Sequence, residues 1–115
     1  MSIDLLYTYN IKKHTHNQLI LELIEYDATI SILEVTRVED IMIITNLFTH
    51  IEYRHRGLAT FLLNKMYNII LNMTEITSIV LTDSSDFFQQ PNNIYVLFGF
   101  KYDIIGQPEM TFIIN

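Results

Sequence analysis

Between residues 58 and 73 the apolar side chains change their step. Leu58, Phe61, Leu62, Met66, Ile69, Ile70 and Met73 recur every three or four positions, which predicts one amphipathic helix from Gly57 to about Asn72. Before it lie short β-branched or aromatic runs, Leu5 to Ile11, Leu19 to Ile24, Thr29 to Val35 and Ile41 to Phe48, separated by polar clusters at 12–17 and 36–40. Connections this short predict an antiparallel meander. After the helix, Thr77 to Leu81 is apolar enough for a buried central strand. A strand, helix, strand crossover makes Ile41–Phe48 and Thr77–Leu81 parallel neighbours in an otherwise antiparallel sheet, and a ligand is expected beyond their C-terminal ends.

The remainder reads as a polar loop from Thr82 to Gln90, a short helix from Pro91 or Asn92 to Phe98, and a glycine stop at Gly99. Phe100 to Ile105 and Met110 to Ile114 then form a hairpin around Gly106-Gln107-Pro108. The fold class is α+β, a mixed and mostly antiparallel sheet of about seven strands with two main helices, in the order ββββαβαββ. With 115 residues, no internal repeat and no linker, residues 1–115 are expected to form one domain.

Seven Lys and Arg against thirteen Asp and Glu leave a net charge of −6, without a run of five like charges. Nucleic-acid binding is therefore not expected, and neither is a disordered tail. The acidic balance keeps an apolar small domain soluble, and it also suits a cationic substrate. The absence of cysteine excludes disulfides, thiol nucleophiles and thiolate metal sites. No signal sequence opens the chain and no apolar run approaches the roughly 20 residues that span a bilayer, so a cytoplasmic or other intracellular location, without a membrane partner, is the expectation. Nineteen isoleucines and nine asparagines against two alanines point to AT-rich codons, a hint of source with no bearing on function.

The segment from Leu47 to Leu63 runs from a strand through a basic turn into the helix. It holds two of the three arginines, Arg54 and Arg56, with His55 between them. Gly57 near the first helical turn and the small Ala59 leave backbone N–H groups from about Arg56 to Thr60, Leu58 included, unpaired and sterically open. That arrangement suits a phosphate or pyrophosphate. A charged, solvated loop before a helix would give the same residues.

Here the residues carry a resemblance. Arg54-x-x-Gly57-x-Ala59 resembles the Gln/Arg-x-x-Gly-x-Gly/Ala motif of the GNAT superfamily of acyl-CoA-dependent N-acyltransferases, and Leu47 to Arg54 looks like the family's passage from its fourth strand into the pyrophosphate loop. Downstream, Tyr95-Val96-Leu97-Phe98-Gly99-Phe100 resembles the family's Tyr-x-x-x-Gly-Phe signature. Two motifs in the right order on the expected elements are far more specific than either alone. The resemblance covers about Ile41 to Tyr102. Relatives place two helices between their first two strands where this chain has only Lys12 to Gln18, so it resembles a minimal member, and those helices normally help to wall the acceptor site.

The resemblance implies transfer of an acetyl group from acetyl-CoA to an amine (a protein lysine, an N-terminus or a polyamine, a cationic acceptor being one option) by direct attack in a ternary complex. It places the pyrophosphate on Arg54 to Thr60 and the oxyanion donors on the backbone at about Phe48 or Thr49. Tyr95 becomes the candidate general acid for the departing thiolate, and a tyrosine packed on the sheet with its hydroxyl at the rim is the plainer account of the same residue. Positions where relatives often carry a glutamate are Ile43 and Thr45, so Asp83 and His50 are the remaining candidates for the base. Each also reads as an ordinary turn or cap residue. Asn93 stands near the asparagine that relatives use against the pantetheine arm, and it reads equally as a helix cap. No metal is expected, since His14 and His16 lack a third ligand nearby. Asp83-Ser84-Ser85-Asp86 is a patch for a cationic acceptor or a polar loop. A homodimer through Thr111 to Ile114 at a sheet edge is an option. The competing function is a non-catalytic binding module that keeps the fold and docks to a partner.

Overall fold

The computed structural model describes residues 2–73, 75–85, 88, 90 and 92–114. The elements are α1 (Ile3–Leu6), β1 (Thr8–His14), β2 (Gln18–Glu25), β3 (Ala28–Val38), β4 (Ile41–Thr49), a 3₁₀ turn (Ile51–Tyr53), α2 (Leu58–Leu71), β5 (Ser78–Thr82), α3 (Ile94–Phe98), β6 (Lys101–Tyr102) and β7 (Glu109–Ile113). The seven strands form one sheet in the order β1-β2-β3-β4-β5-β7-β6. Only β4 and β5 run parallel, as the crossover requires, and every other neighbouring pair is antiparallel.

Alternation along the strands assigns each residue to a face. Leu19, Leu21 and Leu23 of β2 lie in register with Val35, Leu33 and Ser31 of β3, and onward with Ile44, Leu47 and Thr49 of β4. On this face α2 packs across β2, β3 and β4, burying Leu58, Leu62, Leu63, Met66 and Ile70. Ile79, Leu81, Phe100 and Met110 extend the same core. α3 lies beside α2 on that side. Neither helix covers the opposite face, and the Cα extents of 40 × 33 × 20 Å are those of one sheet with one layer of helices.

Several expectations shift. The first strand begins at Thr8 because Ile3 to Leu6 turn helical, with Leu5 N–H bonded to Ser2 O and Tyr7 N–H to Ile3 O. The strand read as Phe100 to Ile105 shrinks to Lys101–Tyr102: Asp103 N–H still bonds Glu109 O, but Gln107 N–H then closes a turn on Ile104 O and ends the pairing. The short helix starts at Ile94 behind the cap of Asn93; Pro91 and Asp86 lie outside the described residues. Gly99 stops it as expected, at φ +126°, with its N–H on Tyr95 O. A Cβ there would stand 2.8 Å from the Phe112 ring. β7 is internal to the sheet, between β5 and β6, so edge pairing by that strand is confined to the stretch beyond β6. No helix of the described residues is long and apolar enough to cross a membrane.

Candidate functional site

β4 and β5 pair only from Ile41 to Ile43 and from Ser78 to Val80, although β4 continues to Thr49. Beyond Ile43 the two parallel strands part and leave a slot in the sheet. A bulge on the other side of β4 drives the divergence: Val35 faces Ile44 while Glu34 faces Asn46, so Thr45 is the extra residue, its hydroxyl on Glu34 O at 3.2 Å. Past the bulge, His50 N–H bonds Ile30 O and Phe48 O accepts from Ser31 Oγ, which turns the backbones of Phe48 and His50 toward β3. Alternation then turns the N–H and C=O of Leu47 and Thr49 toward the slot. Of the two expected donors, Thr49 therefore faces the opening and Phe48 does not. Leu47, which sequence reasoning passed over, faces the opening as well.

At the end of β4 the chain enters the basic turn. His55 at φ +64° and Gly57 at φ +80° are both left-handed, a curl that brings successive N–H groups toward one side. Gly57 is the N-cap of α2 and no side chain caps the helix; the first intrahelical bond is Phe61 N–H to Gly57 O. The N–H groups of Leu58, Ala59 and Thr60 thus have no intrahelical acceptor, at the positive end of a fourteen-residue helix. These are the physical requirements of an oxyanion or phosphate cradle.

The arginines divide their work. Arg54 donates from Nε to Thr49 O at 3.0 Å, with its guanidinium 5.9 Å from the Phe48 ring centroid, and so stands at the mouth of the slot. Arg56 remains exposed but is held at the surface: Nη1 donates to Tyr7 Oη at 3.0 Å, Nη2 to Glu52 O at 3.1 Å, and the guanidinium lies 5.0 Å from the Tyr53 ring. Tyr53 in turn donates to Glu25 at 2.7 Å. The Arg56 guanidinium is therefore a brace under the cradle, which contributes its N–H groups and Arg54. Tyr7, Tyr53 and Glu25 were invisible to sequence reasoning because Tyr7 and Arg56 are 49 positions apart.

A cavity of about 440 Å³ continues from Thr60 between the two helices, lined by Asn64 and Tyr67 of α2, Ile94, Leu97 and Phe98 of α3, and Phe112 of β7. Thr60, Asn64 and Tyr67 repeat at four- and three-residue steps, a stripe on α2 that periodicity alone would have revealed.

The start of α3 is held beside the end of β5, where Asn93 Nδ2 donates to Asp83 at 2.7 Å. Burial, with the nearby Asp83 charge, pushes the Tyr95 hydroxyl up to about 12, so it stays protonated at neutral pH. Asp83 behaves differently from an acid–base group. Burial pushes its carboxyl up, but hydrogen bonds from Ser85 Oγ (2.6 Å), Ser85 N–H (3.0 Å), Tyr102 Oη (2.9 Å) and Asn93 Nδ2 (2.7 Å) outweigh it and hold the group below the usual carboxylate range. A carboxylate so satisfied is a poor proton acceptor and a good strut. Asn93 is fully buried, its Oδ1 capping Tyr95 N–H and Val96 N–H, so the cap reading accounts for its side chain. His50 accepts Glu52 N–H at Nδ1 (3.4 Å) and sets its ring edge-on to Tyr53, at the end of the 3₁₀ turn. The structure thus groups Thr49, Arg54 and the turn from His55 to Thr60 at the end of β4, and sets Tyr95 on α3, beside the end of β5. No group of three potential metal ligands occurs among the described residues.

No known family's sequence pattern matches the chain, and no curated protein matches it by sequence. Solved structures do. PaiA N-acetyltransferase from Thermoplasma acidophilum, in complex with coenzyme A, superposes with a TM-score of 0.65 at 20% identity over 83% of this chain. A GNAT-family acetyltransferase from Streptococcus pneumoniae gives 0.71 at 19% identity over 88% of this chain and 69% of its own. Arabidopsis thaliana NAA60, in complex with a bisubstrate analogue, gives 0.64 at 16% identity over 84% of this chain and 74% of its own. The chain spans 59% of the PaiA chain. Its fold is that of the GNAT acetyltransferases.

Proposed function

We propose that this chain, with its GNAT fold, transfers an acetyl group from acetyl-CoA to a primary amine. The observation that carries the reading is the uncapped, glycine-headed N-terminus of α2 directly at the end of the strand that borders the slot. Anion-binding backbone and a gap in the sheet for a linear thioester arm stand side by side, as phosphate recognition and acyl delivery by one cosubstrate require. Bound acetyl-CoA would supply the activated acyl carbonyl.

In this reading the N–H groups of Leu58 to Thr60, with Arg54, hold the pyrophosphate, and the cavity along Thr60, Asn64 and Leu97 takes the remainder of the arm. The amides of Leu47 and Thr49 stabilise the charge that develops on the carbonyl oxygen. An alkylammonium of pKa near 10.4 is neutral in only about one molecule in 2,500 at pH 7, so it must lose one proton before attack. Asp83 is held too far toward its charged form and too fully bonded to take it, which leaves His50, just beyond β4, or solvent as the acceptor. The nitrogen then bonds to the carbonyl carbon, the C–S bond breaks, and the nitrogen's second proton ends on the sulfur. Tyr95 assists by donating a hydrogen bond to the departing thiolate; its high affinity for the proton disfavours complete transfer.

The experiment is calorimetric titration with acetyl-CoA beside a free-CoA release assay on lysine peptides, N-terminal peptides and polyamines. Binding with release on one acceptor class is expected. Binding without release would favour a non-catalytic module, and no binding would remove the reading.

A further inference from the structure

On the side of the sheet that α2 covers, two rows of side chains cross β2, β3 and β4 without a polar group: Leu21, Leu33 and Leu47, and Leu19, Val35 and Ile44. The next row toward the cradle reads Leu23, Ser31 and Thr49. Ser31 is fully buried and Thr49 half-buried. Burying hydroxyls costs free energy that an aliphatic pair would not. They are not needed to pair the strands either, since the ladder holds on both sides of them, from Ile32 against Phe48 to His50 N–H on Ile30 O.

The two hydroxyls have a defined direction. Ser31 Oγ donates to Phe48 O at 3.2 Å and lies 2.8 Å from Thr49 Oγ1. A hydroxyl has one proton to give. With the Ser31 proton on Phe48 O, the proton between the two oxygens is that of Thr49, and Thr49 Oγ1 keeps only lone pairs. Nothing else among the described residues bonds this oxygen. Its position is where the cradle meets the slot: Arg54 Nε holds Thr49 O at 3.0 Å, and the Thr49 N–H faces the opening.

We propose that Thr49 Oγ1 accepts a hydrogen bond from an amide N–H of the thioester arm, and that Ser31 is a positioning residue that keeps this oxygen an acceptor. The proposal rests on the acetyl-transfer reading. An arm that runs from the N–H groups of Leu58 to Thr60 into the slot passes Thr49 on the helix side, and its secondary amides leave water above the aliphatic rows. An N–H that does so needs an acceptor. Were Ser31 to donate to Thr49 instead, the free Thr49 proton would stand against that N–H.

The test is calorimetry on the unaltered protein, on Thr49→Val, on Ser31→Ala and on the double variant, with acetyl-CoA and with 3′-phospho-ADP, which keeps the pyrophosphate and lacks the arm. Thr49→Val preserves the shape of the side chain. It is expected to weaken acetyl-CoA binding about three- to tenfold and to leave 3′-phospho-ADP binding unchanged, which also shows that the variant is folded. Ser31→Ala is expected to weaken acetyl-CoA binding severalfold by itself and to add nothing to Thr49→Val, because it acts through that hydroxyl. Thr49→Ser keeps the oxygen and is expected to keep the affinity. An unchanged acetyl-CoA affinity in Thr49→Val, or an equal loss for both ligands, would overturn the contact with the arm. Losses that add in the double variant would overturn the role of Ser31. Failure of the unaltered protein to bind acetyl-CoA would instead remove the reading beneath the proposal.

Discussion

The guanidinium of Arg56 donates to the hydroxyl of Tyr7 at 3.0 Å, tying the loop before α2 to the start of the sheet. The same guanidinium holds Glu52 O and lies against the Tyr53 ring, so one planar cation joins the Tyr7 and Tyr53 side chains to a carbonyl of the loop. Tyr7→Phe removes the acceptor and keeps the ring. We expect a stability loss of about 1 kcal/mol in urea denaturation and a several-fold weaker acetyl-CoA affinity by calorimetry. Arg56→Lys should behave at least as badly, because a point cation cannot serve two acceptors in a fixed plane.

Gly57 separates conformational from electrostatic demands. At φ +80° any L-residue is strained, while a Cβ would meet only Ile3 Cδ1 at 3.8 Å. Gly57→Ala is therefore expected to cost about 1–2 kcal/mol of stability with modest change in acetyl-CoA binding. Gly57→Glu adds a negative charge where the phosphates approach and should weaken binding by two orders of magnitude or more. Equal affinities for the two variants would dissociate the cradle from cosubstrate binding.

Tyr95→Phe is expected to lower kcat by about 10²-fold or more with little change in KM for acetyl-CoA, if its hydroxyl serves the leaving thiolate. Its proton affinity gives a second readout. A folded value raised from 10.0 to about 12 contributes stability that is complete below the unfolded value and is lost as pH rises through the folded one. Ultraviolet titration should show one late-ionising tyrosine fewer in the variant, with Tyr9 and Tyr53 still raised, and the rate profile should show no Tyr95 limb at neutral pH.

The helix, the crossover and the order of elements along the chain were legible because each rests on local periodicity, whereas the insertion of β7 between β5 and β6 depends on long-range pairing and was not. Gly57 and Gly99 were legible for a related reason, since both sit where the backbone turns left-handed. The basic turn was only half legible: composition placed Arg54 and Arg56 close together, and only the packed structure distinguishes the one bonded to Thr49 O from the one bonded to Tyr7. The hydrogen bonds that join Asp83 to Asn93 and Tyr102 were not legible, because their partners lie 10 and 19 positions away. The bulge at Thr45 went unnoticed because bulges leave no trace in apolar spacing.

The acid limb of stability should belong largely to Asp83. Its folded carboxyl lies below its ordinary value, so its contribution is present above the unfolded value of about 3.9 and is lost as pH falls through the folded one. Asp83→Asn should cost about 2 kcal/mol at neutral pH and flatten the fall in urea midpoint on acidification. An acid limb identical to that of the unaltered protein would contradict the assignment.

α3 has five residues, far fewer than the ~12 at which a helix in water begins to hold itself together. Its order is borrowed through Asn93, whose amide grips Asp83 at one end while its carbonyl oxygen grips Tyr95 N–H and Val96 N–H at the other. Residues 94–98 should therefore exchange their amide protons together, as one unit that opens well before the rest of the sheet unfolds. The Tyr95 hydroxyl and one wall of the cavity belong to that unit, so the rate at which the arm of a cosubstrate can thread in or leave is tied to the lifetime of a buried amide–carboxylate bond.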